Sequence, residues 1–296
     1  MRLISWNVAR AGQTRIPYQV AALAARAPDI VALQEVRINR AAEYRSALQH
    51  AGFASVADSF AGLGADLGGK RASGVLIASR WECVVCAGAR AEIGVPWPER
   101  LLSVIVATAW GAVEVHTVYV PVGYGGRDLA VRVETLERLY AGLARRAERH
   151  RILCGDFNLP QHEMADGEVI TFGQTRRASG AFAITNAAMH AGEQKVLTGL
   201  AAFDLTDVYR MRHGYGRQEF SWYHPSSGNG FRLDHVLASR SLRARECCYL
   251  EAFRTPHPER YIGLGFNKLS DHAAMEVDFD PAPTGEPAVT ARLISS

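Results

Sequence analysis

Short apolar, β-branched runs alternate with Ala/Leu/Arg-rich stretches of helical period along most of this chain. Runs that are apolar at nearly every position predict strands covered on both faces. They fall at residues 3–8, 29–33, 74–78, 82–85, 101–107, 112–120, 151–154, 231–238 and 273–279, with shorter ones at 205–209 and 220–222. A helix is predicted over 18–26, where Val20, Leu23 and Ala24 share a face and Pro28 stops the turn. A second is predicted over 41–51 and ends at Gly52. The longest is predicted over 130–150, with Val133, Leu136, Leu139, Tyr140 and Leu143 at helical spacing, and another over 193–202. No Pro-, Gly- or Ser-rich linker divides the sequence. The pattern predicts one α/β domain with mixed sheets over 1–280 and an irregular tail over 281–296, where Pro281, Pro283 and Pro287 cluster.

Composition narrows this little. A hydrophobic fraction of 48% is ample for a large core. A net charge of +3 is compatible with nucleic acid without requiring it. No apolar run approaches the roughly 20 residues of a membrane span, and the start lacks a signal-peptide pattern. A cytoplasmic protein that does not engage membranes is expected. The five cysteines have no framework spacing, and Cys83-x-x-Cys86 has no second pair to complete a zinc site. Free thiols are expected. Gly62, Gly64, Gly68 and Gly69 mark a loop, since the Lys-Ser/Thr ending of a phosphate-binding loop is missing.

The chemistry sits where strands are predicted to stop. Ser5-Trp6-Asn7, Gln34-Glu35, Gly155-Asp156-Phe157-Asn158 and Ser270-Asp271-His272 each follow or end a β-like run, or precede one. Glu35 closes an apolar run, so its charge needs a partner: a hard cation, or Arg37 nearby. Asp156 and Asn158 are two apart, so on an extended segment both emerge on one face. There an Asp can activate water and an Asn can hold it, although the same pair also favours a plain turn. His272 follows one carboxylate, and Asp234 enters another strand. An Asp–His pair would fix the imidazole tautomer and raise its pKa. Asn7 and Tyr119 are strand-end polar groups that need hydrogen-bond partners if buried. His116, three residues before Tyr119, is expected on the opposite side of its strand with a structural role.

This set resembles the exonuclease–endonuclease–phosphatase superfamily over roughly residues 1–279, with most features in common with its exonuclease III-like branch. The resemblance implies a four-layer α/β sandwich: two mixed β-sheets packed face to face with helices outside. It implies a Mg2+- or Mn2+-dependent phosphodiesterase acting on DNA as a monomer, by abasic-site incision or 3′ to 5′ trimming. A phosphatase or phosphodiesterase for a small-molecule or lipid phosphate is the alternative on the same fold. Site residues carried over are Glu35 and Asp271 for the metal, Asp156 and Asn158 for the nucleophile, and His272, oriented by Asp234, for the phosphate. Asn7 would hold metal or water, and Tyr119 would contact phosphate. Trp222 and Phe231 resemble the aromatic pair around an abasic deoxyribose. Arg127, Arg176, Arg177, Arg212 and Arg217 lie in loop-like stretches, with Arg127 and Arg177 the foremost candidates for DNA phosphates. Ala9 and Val122 depart from the branch pattern, which places polar side chains there. Residues 161–193 match nothing closely, and such loops set specificity on a shared scaffold.

Overall fold

A computed structural model describes residues 1–63, 67–123 and 125–280. The predicted tail at 281–296 and the middle of the Gly62–Gly69 loop lie outside the described residues. The strands, in chain order, are β1 (Arg2–Asn7), β2 (Ile30–Arg37), β3 (Ser55–Asp58), β4 (Ser73–Ser79), β5 (Cys83–Val85), β6 (Leu101–Thr108), β7 (Gly111–Tyr119), β8 (His150–Asp156), β9 (His162–Glu163), β10 (Val169–Ile170), β11 (Gln174–Arg176), β12 (Phe182–Ile184), β13 (Thr206–Asp207), β14 (Trp222–Tyr223), β15 (Gly230–Phe231), β16 (Asp234–Ala238), β17 (Ala244–Leu250) and β18 (Ala274–Phe279). The helices are α1 (Ile16–Ala25), α2 (Ala41–His50), α3 (Ala87–Ile93), α4 (Gly126–Leu143), α5 (Ala187–Leu197) and α6 (Val208–His213).

Two six-stranded sheets carry the fold, ordered β17-β18-β1-β2-β4-β3 and β13-β16-β8-β7-β6-β5. Both are mixed, with β1–β2 and β7–β8 the parallel pairs. One core fills the space between the sheets, joining Leu3, Ile30, Val75 and Val277 of the first to Val104, Val115, Ile152 and Val236 of the second. A second core packs α1 and α2 on the outside of the first sheet through Val20, Leu23, Tyr44 and Leu48. A third packs α3, α4 and α5 on the other through Ile93, Leu136, Leu139 and Val196. This is the four-layer arrangement expected. Because the central strands of both sheets are covered on both faces, their apolar runs show little alternation.

The inner face of each strand is graded. Alternate residues of β1 read Leu3, Ser5, Asn7; those of β2 read Ile30, Ala32, Gln34. Those of β7 read Val113, Val115, Thr117, Tyr119, and those of β8 read Ile152, Cys154, Asp156. Since side chains alternate with period two, each sequence runs along one face from aliphatic to polar. Gln34 spans the middle of the gradient, its Nε2 donating to Ser5 Oγ at 3.2 Å and to Thr117 Oγ1 of the opposite sheet at 3.0 Å. The charged end of the gradient opens into a cleft.

Three elements differ from the sequence reading. The long helix spans Gly126–Leu143 rather than 130–150, and His150 already begins β8. Helix-favouring residues continue past Leu143, but the apolar face stops there. Residues 208 and 209, predicted as strand, start α6, because Asp207 caps it by accepting from Arg210 N at 3.0 Å. The helix predicted at 193–202 starts earlier, as Ala187–Leu197 with Asn186 as its cap, and then tightens into a 3-10 turn over Gly199–Phe203. The structure also adds α3, β3, β17 and two hairpins, β9–β10 and β11–β12, inside 161–193. Among the described residues no helix is long and apolar enough to cross a membrane, and all five cysteines are free.

Candidate active site

The cleft, about 760 Å³, is lined in part by Glu35, Asp156, Asn158, Trp222, Asp271 and His272. Both sheets contribute. Glu35 reaches it through a β-bulge: the pairing of β2 with β4 shifts register between Gln34 and Val36. Gln34 faces inward and Val36 packs on the outer core, so Glu35 is the inserted residue, held at φ 58. Without the bulge its carboxylate would point under the outer helices. A positive φ is costly for a Glu and re-aims the side chain towards the cleft.

Asn7 joins the carboxylates of the two sheets. Its Nδ2 donates to Asp156 Oδ2 at 2.8 Å and lies 3.3 Å from Glu35 Oε1. Its Oδ1 accepts from Ala9 N at 2.9 Å, so the amide orientation is fixed. Ser270 Oγ donates to the Asn7 carbonyl at 2.6 Å, and Trp6 Nε1 donates to the His272 carbonyl at 3.0 Å. The Ser-Asp-His segment is thereby fastened to β1. Trp222 Nε1 donates to Asp271 Oδ2 at 3.2 Å and orients that carboxylate.

Asp156 ends β8 opposite Asp234 on β16. The preceding Gly155 is required: a Cβ there would lie 1.9 Å from the Val118 carbonyl oxygen of β7, and its φ is 143. Asn158 has φ 53, its N–H donates to Asp156 Oδ1 at 2.9 Å, and its Nδ2 donates to the Val120 carbonyl at 2.9 Å. The turn reading holds, and both residues line the cleft. The loop turns back through Asn158, and in doing so sets both side chains in the cleft.

The titrating groups oppose one another. Burial pushes the Asp156 carboxyl up to about 7, and the neighbouring Asp234 charge adds to this against His272 and Asn7. Burial alone would lower His272. The Asp234 charge and hydrogen bond, with Nδ1 2.8 Å from Oδ2, outweigh it and hold the imidazole up to about 10. Burial, then the Glu35 charge, keeps the Tyr119 hydroxyl protonated well above its ordinary value. Near neutral pH the site thus offers a poised base, a cationic imidazolium and a phenol donor.

Asp156, Asp234 and His272 offer ligand atoms within 4.8 Å of one another. A cation held by all three is disfavoured, because a protonated, Asp-paired imidazole is not a metal ligand. The wider donor set does suit a hard cation. Glu35, Asp271 and Asp156 supply carboxylate oxygens, and Asp234 Oδ1 is buried with no hydrogen-bond partner. Four carboxylates around one imidazolium leave negative charge that a divalent ion would offset.

The structure brings Asn7, Glu35, Tyr119, Asp156, Asn158, Asp234, Asp271 and His272 together. Trp222 and Phe231 are also adjacent, paired across β14–β15 with ring centroids 5.9 Å apart. Arg127 is exposed on the first turn of α4 and Arg177 is exposed in the β11–β12 hairpin, and neither lines the cleft. Arg212 lies on α6, not in a loop, and Arg217 pairs with Glu219. His116 is buried on the other side of β7, with Nδ1 2.7 Å from Ser103 Oγ and Nε2 3.2 Å from Glu114. Sequence reasoning missed Arg132. It is buried on α4, and its guanidinium donates to the Asn158 carbonyl at 2.6 Å and to Glu193 at 3.1 Å. Glu193 also accepts from Phe172 N at 3.1 Å. The available signal was position: Arg132 falls on the same stripe as Leu136, Leu139 and Leu143.

A bulge-borne carboxylate, a poised Asp and an Asp-supported imidazolium at one end of a two-sheet sandwich define a hydrolase acting on phosphoester bonds. The chain belongs to the endonuclease/exonuclease/phosphatase family, whose model matches residues 4–272. Members of this family use divalent metals. Among solved structures it resembles an AP endonuclease from Archaeoglobus fulgidus at 21% identity and TM-score 0.69, covering 95% of this chain and 99% of that one. It also resembles a 3′-5′ exonuclease from Neisseria meningitidis at 21% identity and TM-score 0.67, covering 95% and 100%. A 3′ phosphatase from Neisseria bound to a product DNA hairpin matches at 21% identity and TM-score 0.66, covering 95% and 99%. At these identities the likeness establishes the fold. No curated protein sequence matches the chain.

Proposed function

We propose that this chain is a divalent-metal-dependent nuclease acting on DNA, by abasic-site incision or 3′ to 5′ trimming, through in-line attack of water on phosphorus. The observation that carries the reading is the opposition of Asp156, up to about 7, and His272, up to about 10, across one cleft. Asp156 accepts the proton of the attacking water, and Asn158 and Asn7 hold the water and that carboxylate in place. His272, locked by Asp234, donates to a phosphate oxygen, and the protonated Tyr119 donates to another. Glu35 with Asp271 would hold magnesium or manganese, which supplies charge neutralisation on the phosphoryl and leaving oxygens. Trp222 and Phe231 would meet the nucleotide, while Arg127 and Arg177, away from the cleft lining, would contact flanking phosphates. Residues 1–280 would act as one domain and as a monomer. Five free thiols, Cys154 wholly buried among them, fit a reducing cytoplasm.

The archaeal AP endonuclease and the Neisseria exonuclease and phosphatase make DNA the first substrate to try. Labelled abasic, nicked, recessed and single-stranded oligonucleotides are incubated with magnesium or manganese. Cleavage that EDTA abolishes and Asp156→Ala loses is the expected result. Inertness of the unmodified protein on all of them refutes the nuclease, and phosphate release from small or lipid phosphates would then mark the alternative.

A further inference from the structure

Residues 161–193 contribute Phe172, Asn186 and Met189 to the lining of the cleft, and Phe172 meets an aromatic neighbour there. Phe172 and Phe231 both line the cleft, both are half-buried, and their rings are 15° from parallel with centroids 6.2 Å apart. Phe231 in turn neighbours Trp222, whose ring centroid is 6.3 Å from that of His272. Phe231 therefore stands one ring, Trp222, away from the imidazole that would meet the phosphate, and Phe172 stands one ring further out.

Phe172 is held in this pose from three sides. Its N–H donates to Glu193 at 3.1 Å, and the Arg132 guanidinium lies 5.4 Å from its ring centroid. The next residue, Gly173, is pressed against α5: a Cβ there would come within 2.4 Å of His190 N, and its carbonyl accepts from Asn186 N at 3.0 Å. Behind Phe231, His162 lies 17° from parallel at 6.0 Å. A side chain fixed at this cost in ordering has its surface ready before any ligand arrives. Two near-parallel aromatic faces present a flat apolar surface that matches a planar heteroaromatic ring. A bare sugar or an alkyl chain can pack C–H groups on them but brings no π face of its own to stack. The volume, about 760 Å³, is within the range that encloses a nucleotide-sized ligand.

We propose that the cleft receives an intact nucleobase, laid parallel to Phe172 and Phe231, on the nucleotide whose phosphate meets Asp156 and His272. This rests on the phosphoester-hydrolase reading above and names its substrate class: a base-bearing nucleotide rather than an abasic sugar or a lipid phosphate. Between the two DNA activities it selects trimming of base-bearing ends. The base could belong to an oligonucleotide or to a free nucleotide, and the test separates the two.

The substrates are two duplexes alike except at the reacting position, one with a normal deoxyadenosine 3′ end and one with a tetrahydrofuran abasic analogue there. The proteins are the unmodified chain and Phe172→Leu, which removes the aromatic face and keeps the backbone N–H and apolar bulk, with matching thermal melts as the control for folding. Stacking predicts a loss of kcat/KM of roughly 5- to 150-fold on the base-bearing end and less than about twofold on the abasic end. Equal losses on both, or no loss on the base-bearing end, overturn the proposal. A second measurement needs no turnover: equilibrium dialysis in EDTA of deoxyadenosine monophosphate against deoxyribose 5-phosphate. Tighter binding of the nucleotide by at least about fivefold, lost in Phe172→Leu, supports the site; equal affinities refute it. Phe172-dependent nucleotide binding without cleavage of any DNA keeps the base site, sinks the nuclease and points to free nucleotides. Cleavage of both duplexes with no dependence on Phe172 does the reverse.

Discussion

Replacing Asp234 with Asn should move the whole pH–rate curve, and the direction follows from the geometry. Against burial, the Asp234 carboxylate, 2.8 Å from His272 Nδ1, with smaller help from the Asp156 and Asp271 charges, lifts the imidazole from 6.5 to about 10. At 1.36 kcal/mol per unit that rise corresponds to about 5 kcal/mol. Because this pKa is raised, the stabilisation His272 contributes is complete below about pH 6.5 and is lost as pH rises through about 10. In Asp234→Asn the burial remains and the strongest opposing charge is gone, so His272 falls well below about 10, held up only by the Asp156 and Asp271 charges. At pH 7.5 a smaller share of the imidazole is then charged. Asp156 simultaneously loses the neighbour that, after burial, does most to hold it up, so its carboxyl ionises at lower pH. The unmodified enzyme should show an acid limb near 7 and an alkaline limb near 10. The variant should show both limbs moved to acid and, at pH 7.5, a kcat lower by about 10²–10⁴. The assay is initial rate on a fluorescent oligonucleotide from pH 5.5 to 10 at fixed ionic strength and saturating magnesium. A variant curve of unchanged shape and lower height would refute the reasoning, since it would make Asp234 a packing residue alone.

Three further outcomes follow from the same contacts. Asp156→Asn should raise the melting temperature by several degrees in EDTA above pH 7 and change it little near pH 4. The carboxyl pushed up to about 7 destabilises the native state increasingly from pH 4 to 7, and a flat difference across that range would contradict this. Arg132→Met should cost about 3–5 kcal/mol in urea unfolding by leaving Glu193 buried and unpaired, and adding Glu193→Leu should recover most of that stability. Neither variant should recover kcat, because the Asn158 carbonyl loses its 2.6 Å donor; full recovery in the double variant would show the brace to be structural only. Gly155→Ala should destabilise by about 3 kcal/mol or more, measured by urea unfolding, since its methyl would meet the Val118 carbonyl between β7 and β8.

What the sequence revealed, and what it hid, has a physical pattern. Strands buried on both faces announce themselves as apolar runs, so β1, β2, β4, β6, β7 and β8 were legible. β17 was not, because it is an edge strand with Arg245 and Glu246 exposed among its cysteines. The polar groups at strand ends were legible for the same reason: Asn7, Asp156 and Asp234 interrupt runs that are otherwise aliphatic. The bulge at Glu35 left no mark, since nothing in Gln34-Glu35-Val36 states which residue is the extra one. Arg132 looked like one more helical arginine until its neighbours on the stripe were seen to be buried. Phe172 lies in a segment whose two hairpins are too short to show a period. Its place beside Phe231 is set by contacts across the fold.

The last strand among the described residues has a consequence for how the protein comes into being. β18 lies between β1 and β17, and the Ser270-Asp271-His272 segment before it is tied to Asn7 and Trp6 at the other end of the sequence. During synthesis, β1 therefore waits with one edge unpaired until Ala274–Phe279 has been made. A chain stopped early, by a frameshift or a stalled ribosome, holds Glu35 and Asp156 but has no imidazole and an open sheet. Such fragments would lack the completed site while exposing a sticky edge, which makes them material for proteolysis.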